Sequence, residues 1–287
     1  SNHSVWSGLG VASNGRVYVA VSNHQQPEGN VGLYRYNPAT DEAALFLAES
    51  RFEGGREDVD AVSILANGNI VLSTDGPARL GGLDFGNGDL IEFNPTTNVA
   101  TLLFSEAQFT GGNENIDAVH VLDDGRLILS TATSAVLGSN VLSFRNGDLV
   151  EYNPTTDVAS LIFSESVFVD VPTGLEHTGE NIDAVSVLSG GDLIISTAGA
   201  ARIGNLVFSD GDLVRYNRAT GVATLLLSEE LFSGGSDINA VHVVESGGQI
   251  TRLILSTDGP GTIRGVLYDD GDLIEVINPN LANGTLG

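Results

Sequence analysis

Aspartate and asparagine recur at the start of short apolar segments, and they are the side chains of this sequence best suited to hold a ligand. Asp60, Asp117, Asp183 and Asn239 occupy equivalent positions in four copies of one phrase. Ca²⁺ prefers oxygen ligands of this kind, whereas carboxylates that converge without a cation or N–H donors repel one another. We therefore predict a binding cluster of these four residues, with Ca²⁺ bound by Asp60, Asp117 and Asp183. The structural alternative is that each aspartate caps backbone N–H groups.

More oxygen ligands lie beside this cluster in the sequence. They precede the repeated phrase by one or two residues and comprise Glu57, Asp58, Glu114, Asn115, Glu180, Asn181 and Asp237. No stretch matches an EF-hand loop or a Ca²⁺-binding nonapeptide repeat. Catalysis of glycoside hydrolysis at the cluster would require two carboxyl groups about 5–9.5 Å apart in a cleft.

A second set of aspartates follows glycine-rich loops in the motif Gly-Asp-Leu. Its members lie about 60 residues apart: Asp89, Asp148, Asp212 and Asp272. Aspartate side chains accept hydrogen bonds from backbone N–H groups in turns. We therefore predict that this second set caps turns and binds no ligand.

Three histidines are candidates for more specific roles. His120 and His242 occupy equivalent positions in two copies, and we expect them to be buried and hydrogen-bonded because no further metal ligands converge with them in the sequence. His177 lies in an insertion at residues 169–179 that the other copies lack. An insertion on a rigid scaffold can add a specific contact, so His177 is a candidate binding residue.

Internal repeats of about 60 residues predict the fold. Residues 30–52, 87–109, 146–168 and 210–232 align with one another, and a truncated copy begins at Asp270. Each copy contains four short apolar runs separated by turn sequences, which is typical of four antiparallel strands. We predict an all-β fold, a five-bladed β-propeller of four-stranded antiparallel blades, occupying 1–287 as one domain. The expected blades are residues 5–52, 57–109, 114–168, 180–232 and 236–286, the last lacking an outer strand or forming a poor one at 281–286.

Composition excludes several partners. The 287 residues include 12 basic residues, all arginine, against 37 acidic ones, for a net charge of −25. Such a charge disfavours nucleic acid and anionic membrane surfaces, and no apolar run is long enough to span a bilayer. The absence of cysteine excludes disulfides and thiol chemistry.

The repeat phrase resembles repeats of uncharacterised secreted or surface bacterial proteins with five-bladed β-propeller domains, an architecture shared with tachylectin-2-type lectins and several glycoside hydrolases. The resembling residues are Gly-Asp-Leu followed by Glu-Phe-Asn-Pro or Glu-Tyr-Asn-Pro, and Ile-Asp-Ala-Val followed by Ser-Thr. The resemblance implies architecture and leaves the activity open. It implies an extracellular or cell-surface location.

Function is expected from the loops, because binding sites lie on long variable loops of rigid scaffolds. The loops between the second and third strands, and between blades, are long and acidic. We expect a non-enzymatic binding or structural module, a monomeric part of a larger protein, that presents this face to a protein or carbohydrate, with Ca²⁺ organising it. The alternatives are a lectin-like carbohydrate binder and a glycoside hydrolase that uses aspartates at the mouth of the channel.

Overall fold

A computed structural model describes residues 7–11, 17–21, 43–54, 57–112, 114–169, 180–233, 237–263 and 265–277. Within these ranges the chain is built of strands and four short 3-10 helices, at Glu49–Arg51, Glu106–Gln108, Glu165–Val167 and Glu229–Leu231. The prediction of an all-β fold is confirmed.

In chain order the strands are β1 (Ser7–Val11), β2 (Val17–Val21), β3 (Ala43–Leu47), β4 (Ala61–Ile64), β5 (Ile70–Ser73), β6 (Ala78–Leu80), β7 (Leu83–Phe85), β8 (Leu90–Asn94), β9 (Val99–Phe104), β10 (Ala118–Val121), β11 (Leu127–Ser130), β12 (Ala135–Leu137), β13 (Leu142–Phe144), β14 (Leu149–Asn153), β15 (Val158–Phe163), β16 (Ala184–Val187), β17 (Leu193–Ser196), β18 (Ala201–Ile203), β19 (Leu206–Phe208), β20 (Leu213–Asn217), β21 (Val222–Leu227), β22 (Phe232–Ser233), β23 (Ala240–Ser246), β24 (Gln249–Ser256), β25 (Gly261–Ile263), β26 (Val266–Tyr268) and β27 (Leu273–Ile277). In the three complete copies from β4 to β21, strands of 4, 4, 3, 3, 5 and 6 residues follow one another.

Four antiparallel sheets of four strands form the framework. Sheet A has the order β4-β5-β8-β9, sheet B β10-β11-β14-β15, sheet C β16-β17-β20-β21 and sheet D β23-β24-β27-β3. Short hairpins, β6-β7, β12-β13 and β18-β19, connect the second and third strands of sheets A to C, and β25-β26 does so in sheet D, where it also pairs with β22. Strands β1 and β2 form a separate two-stranded sheet.

The turn between the first two strands of a sheet depends on glycine. Gly68, Gly125 and Gly191 have φ of +84°, +85° and +85°, a region that side chains with a Cβ rarely adopt. Each glycine N–H closes the turn onto a carbonyl three residues earlier, as Gly125 does onto Leu122. These tight turns join the two inner strands of sheets A to C in the same way, whereas the longer strands β23 and β24 of sheet D are joined at Gly247 and Gly248.

Each hydrophobic core lies between two neighbouring sheets. One cluster joins sheets A and B, another B and C, a third C and D, and the fourth joins D to A through residues such as Ile254 and Val62. The inner strands are buried on both faces, which explains their nearly continuous apolar sequences. The four sheets therefore close on one another, an arrangement compatible with a β-propeller.

The five-blade count is not confirmed, and one boundary needs correction. Residues 43–47, predicted as the outer strand of a first blade at 5–52, pair instead with β27 and complete sheet D. The sequence repeats cannot reveal this pairing because β3 and β27 belong to partial copies at opposite ends of the chain. Residues 281–286, the other candidate for this strand, lie outside the described residues.

Candidate functional site

Four equivalent residues stand immediately before the four inner strands. Asp60, Asp117, Asp183 and Asn239 precede β4, β10, β16 and β23, and each is at least nine-tenths buried. The predicted cluster therefore lies at one end of the inner strands, with one member on each sheet. The turns between first and second strands lie at the opposite end.

Each member faces a residue of the next sheet around the ring. Asn115 donates to Asp60 over 2.9 Å, and Asn181 donates to Asp117 over 2.6 Å. Where sheet D meets sheet A, asparagine and aspartate exchange positions within the pair, and Asn239 donates to Asp58 over 3.0 Å. In these three pairs an amide N–H group satisfies a carboxylate, so the expected capping of backbone N–H groups is not what holds Asp60 and Asp117.

The fourth pair joins two carboxyl groups. Asp237 of sheet D stands where the other sheets have Asn115, Asn181 or Asp58, and its carboxyl group lies within hydrogen-bonding reach of Asp183. Apart from its own backbone N–H and the carboxyl group of Asp237, no described residue offers a hydrogen-bond donor to the buried side-chain oxygens of Asp183. Oδ1 of Asp237 is likewise buried without a donor. We call the eight residues of the four pairs the Asp/Asn ring.

Burial dominates the electrostatics of the ring. Loss of hydration raises the pKa of Asp60 to about 8 and that of Asp117 to about 7, while the amide donors act in the opposite direction. The pKa of Asp183 is raised well above its ordinary value by burial and then by Asp237. Because the protonated carboxyls favour the folded state, this contribution to stability is complete below pH 3.8 and is lost progressively as the pH rises from there to about 7 to 8.

An acidic rim surrounds one side of the ring. Asp75 and Asp258 are exposed and follow the second strands of sheets A and D, where sheets B and C have alanine. Together with Asp270 they raise the pKa of Asp58 to about 7, although burial contributes most to that shift. We call Asp75, Asp258 and Asp270 the acidic rim; it lies where sheet D meets sheet A.

The second set of aspartates caps turns, as predicted. Oδ2 of Asp148 accepts from the N–H of Arg145, and Oδ1 accepts from the N–H of Glu165 at the start of a 3-10 helix, each over 2.8 Å. Asp89 and Asp212 make the equivalent pairs of bonds. Asp272 does so with Asp269 and with Glu49, which lies at the other end of the chain.

The two inner-strand histidines are buried or half-buried and hydrogen-bonded, as predicted. Nδ1 of His242 accepts from the N–H of Ile64 over 3.1 Å, so the neutral ring carries its proton on Nε2. Nδ1 of His120 lies 3.4 Å from Oγ of Ser186. The imidazole rings stack with centroids 6.1 Å apart, and burial lowers their pKa values to about 4 for His120 and about 3 for His242.

The recurring aromatic and serine side chains of the repeat have structural roles. Phe93, Tyr152 and Tyr216 are buried between sheets, and Oγ of Ser73 donates to backbone carbonyls, as do its equivalents. His177 lies outside the described residues. Within the described ranges, no three His, Asp or Glu side chains are grouped as a metal site, and no helix is long and apolar enough to cross a membrane.

Comparisons with known proteins yield only distant likenesses. No family model matches the chain, and no curated protein matches it significantly. The extracellular domain of a hybrid two component system from B. thetaiotaomicron is 12% identical, with a TM-score of 0.36 over 95% of this chain and 38% of that one. An inactive virginiamycin B lyase from Staphylococcus aureus is 7% identical, with a TM-score of 0.40 over 82% of this chain and 99% of that one. The chain thus spans about two fifths of the first of these structures, and neither likeness is strong enough to carry a functional argument.

Proposed function

We propose that this chain is a non-enzymatic β-propeller module of four blades that binds a protein partner with a basic surface. The blades are sheets A to D, and β3 closes the ring. An extracellular or cell-surface location is part of the proposal, and it rests on the acidic, lysine-free composition and on the resemblance of the repeat phrase to secreted or surface proteins. The partner binds at the acidic rim, and a Ca²⁺ ion at the Asp/Asn ring organises the same end.

The uneven distribution of carboxyl groups carries this proposal. Asp75, Asp258 and Asp270 lie close enough to Asp58 to contribute to its raised pKa. Arginines at the opposite end are already ion-paired, such as Arg215 with Asp192. Carboxylates gathered on one end of a rigid scaffold attract a cationic surface and speed its association. The buried aromatic side chains leave the described residues without the stacking surface that a lectin-like site needs.

Direct binding measurements test this function. Fluorescent octa-arginine, octa-glutamate and a neutral oligosaccharide are titrated with the protein at 50 and 300 mM NaCl. We expect binding of octa-arginine alone, weakened by salt, and weakened about tenfold in Asp75→Asn/Asp258→Asn. The matched control, Asp123→Asn/Asp124→Asn, removes two exposed carboxylates at the opposite end and should bind as the wild type does.

Two results would contradict the proposal. Equal loss of affinity in both double variants would show that total charge, and not the acidic rim, attracts the peptide. Binding of the oligosaccharide, unaffected by salt, would favour the lectin-like alternative.

A further inference from the structure

The buried oxygens of the Asp/Asn ring lack donors to an unusual degree. Among the described residues, seven buried side-chain nitrogen and oxygen atoms have no hydrogen-bond partner, and six of them belong to the ring. All six are oxygens: Oδ1 of Asn115, Asn181, Asn239 and Asp237, and both carboxylate oxygens of Asp183. Buried polar atoms in proteins are almost always satisfied, so a set made up only of acceptors points to a positively charged ligand.

Three of the six orphaned oxygens belong to the single pair Asp183 and Asp237. Asp183 is 5% exposed, and its carboxyl group meets that of Asp237 without any amide donor between them. Asn181 and Asn239 flank this pair in the sequence, and each uses its N–H group elsewhere, on Asp117 and Asp58. Their carbonyl oxygens therefore remain free to act as ligands.

The surrounding charges also favour a cation. Asp60 and Asp117 face Asp183 from sheets A and B, and Asp210, Glu229 and Asp258 face Asp237 from sheets C and D. Two buried carboxylates in contact are strongly unfavourable unless an opposite charge lies between them. The other three pairs of the ring avoid this cost because an asparagine replaces one carboxylate.

We infer that Asp183 and Asp237, with the carbonyl oxygens of Asn181 and Asn239, form a binding site for one Ca²⁺ ion. Hard carboxylate and amide oxygens suit Ca²⁺, which accepts irregular sets of ligands, better than Mg²⁺, which requires octahedral geometry and retains water. The inference refines the Ca²⁺ part of the proposed function: it moves the site from a symmetric set of Asp60, Asp117 and Asp183 to a single seam between sheets C and D. The proposed partner site at the acidic rim does not depend on this Ca²⁺ site, so either one can be disproved without the other.

The variant Asp237→Asn tests this inference with little risk to folding. It converts the carboxyl pair into the amide–carboxylate pair that Asn115 and Asn181 already form in the same structure. The matched control is Asp60→Asn, which removes a ring carboxyl group of sheet A, keeps an oxygen acceptor for Asn115, and leaves the four proposed ligands with their partners. The wild type and both variants are stripped with EDTA and compared at pH 8.

Thermal unfolding and calorimetric titration with CaCl₂ give the readouts. For the wild type and Asp60→Asn we expect one Ca²⁺ per chain and a rise in Tm of about 5 °C at a hundredfold excess over Kd, with a smaller rise for MgCl₂. For Asp237→Asn we expect no Ca²⁺-dependent rise, and a higher Tm than the wild type in EDTA because the amide satisfies Asp183.

Three outcomes would overturn the inference. A wild type whose Tm does not respond to Ca²⁺ at pH 8 shows that the two carboxyls share only a proton. Loss of the Ca²⁺ response in Asp60→Asn as well as in Asp237→Asn shows that the whole ring attracts ions without a defined site. An unchanged response in Asp237→Asn places the ion elsewhere. The octa-arginine titration is unaffected by any of these results, so failure of the Ca²⁺ site and failure of the proposed partner site are distinguishable.

Discussion

At the scale of residues, one repeat position carries serine in two copies and histidine in the other two, and these side chains form hydrogen bonds between sheets. Ser63, His120, Ser186 and His242 occupy one position on the four inner strands and link them in a closed ring. The N–H of Val121 reaches Ser63 and that of Val243 reaches Ser186, over 3.1 and 3.0 Å. His120 and His242 lie on the non-adjacent sheets B and D, and their imidazole rings stack with centroids 6.1 Å apart.

Acid should weaken the fold through these histidines. The pKa of His242 is about 3 in the folded chain, against an ordinary value of 6.5, so its contribution to stability is complete above pH 6.5 and is lost as the pH falls toward the folded value. His242→Asn keeps an acceptor for the N–H of Ile64 but does not titrate. We expect the stability of the wild type relative to this variant to fall by up to about 1.4 kcal/mol per pH unit below pH 6.5.

Urea unfolding from pH 5 to pH 8 measures this difference. The comparison between wild type and variant cancels the opposite trend of the buried aspartates, which favour folding at low pH. A difference that does not change with pH would show that His242 is not buried in its neutral form.

At the scale of elements, the Gly-Asp-Leu aspartates fasten the outer strand of each sheet to its third strand. In sheets A to C the two capped N–H groups lie within one copy of the repeat. In sheet D, Asp272 bonds to Glu49, so the same cap ties the C-terminal β27 to the segment that follows β3. The hydrogen bond that is local in sheets A to C therefore connects distant parts of the chain in sheet D.

Removing this cap should free the N-terminal strand. We expect Asp272→Ala and Asp212→Ala each to lose about 1–3 kcal/mol, because each leaves two backbone N–H groups without a partner. Only Asp272→Ala should accelerate hydrogen exchange in β3, since Asp212 caps a 3-10 helix continuous with its own sheet. Hydrogen exchange followed by mass spectrometry measures both, and equal protection of β3 in the two variants would contradict the role of Asp272.

At the scale of the whole molecule, β3 makes the ring of sheets continuous. It pairs with β27 along Leu273–Val276, and Leu47 and Phe52 join the core between sheets A and D. Without this strand, β27 would be an edge with unpaired N–H and C=O groups, which promotes association between chains.

Truncation tests the closure. Deleting residues 1–52 should lower the Tm and produce oligomers, whereas deleting residues 1–40 retains β3 and should do neither. Size-exclusion chromatography and thermal unfolding report the two effects, and a synthetic peptide covering residues 41–54 should restore the monomer. A monomeric, fully stable protein lacking residues 1–52 would show that β3 is dispensable.

The sequence alone determines the strands, the turns and the general position of the site. Periodic Gly-Asp-Leu motifs, apolar runs and glycine turns act locally, so Asp148 as a turn cap and Phe93 as core are predictable from it. The tertiary structure alone decides which copies meet. Whether Asp183 faces an amide or the carboxyl group of Asp237, and whether residues 43–47 join the first or the last sheet, depends on contacts between residues far apart in the chain. A repeat that nearly matches itself everywhere carries little information about which of its copies are neighbours in space.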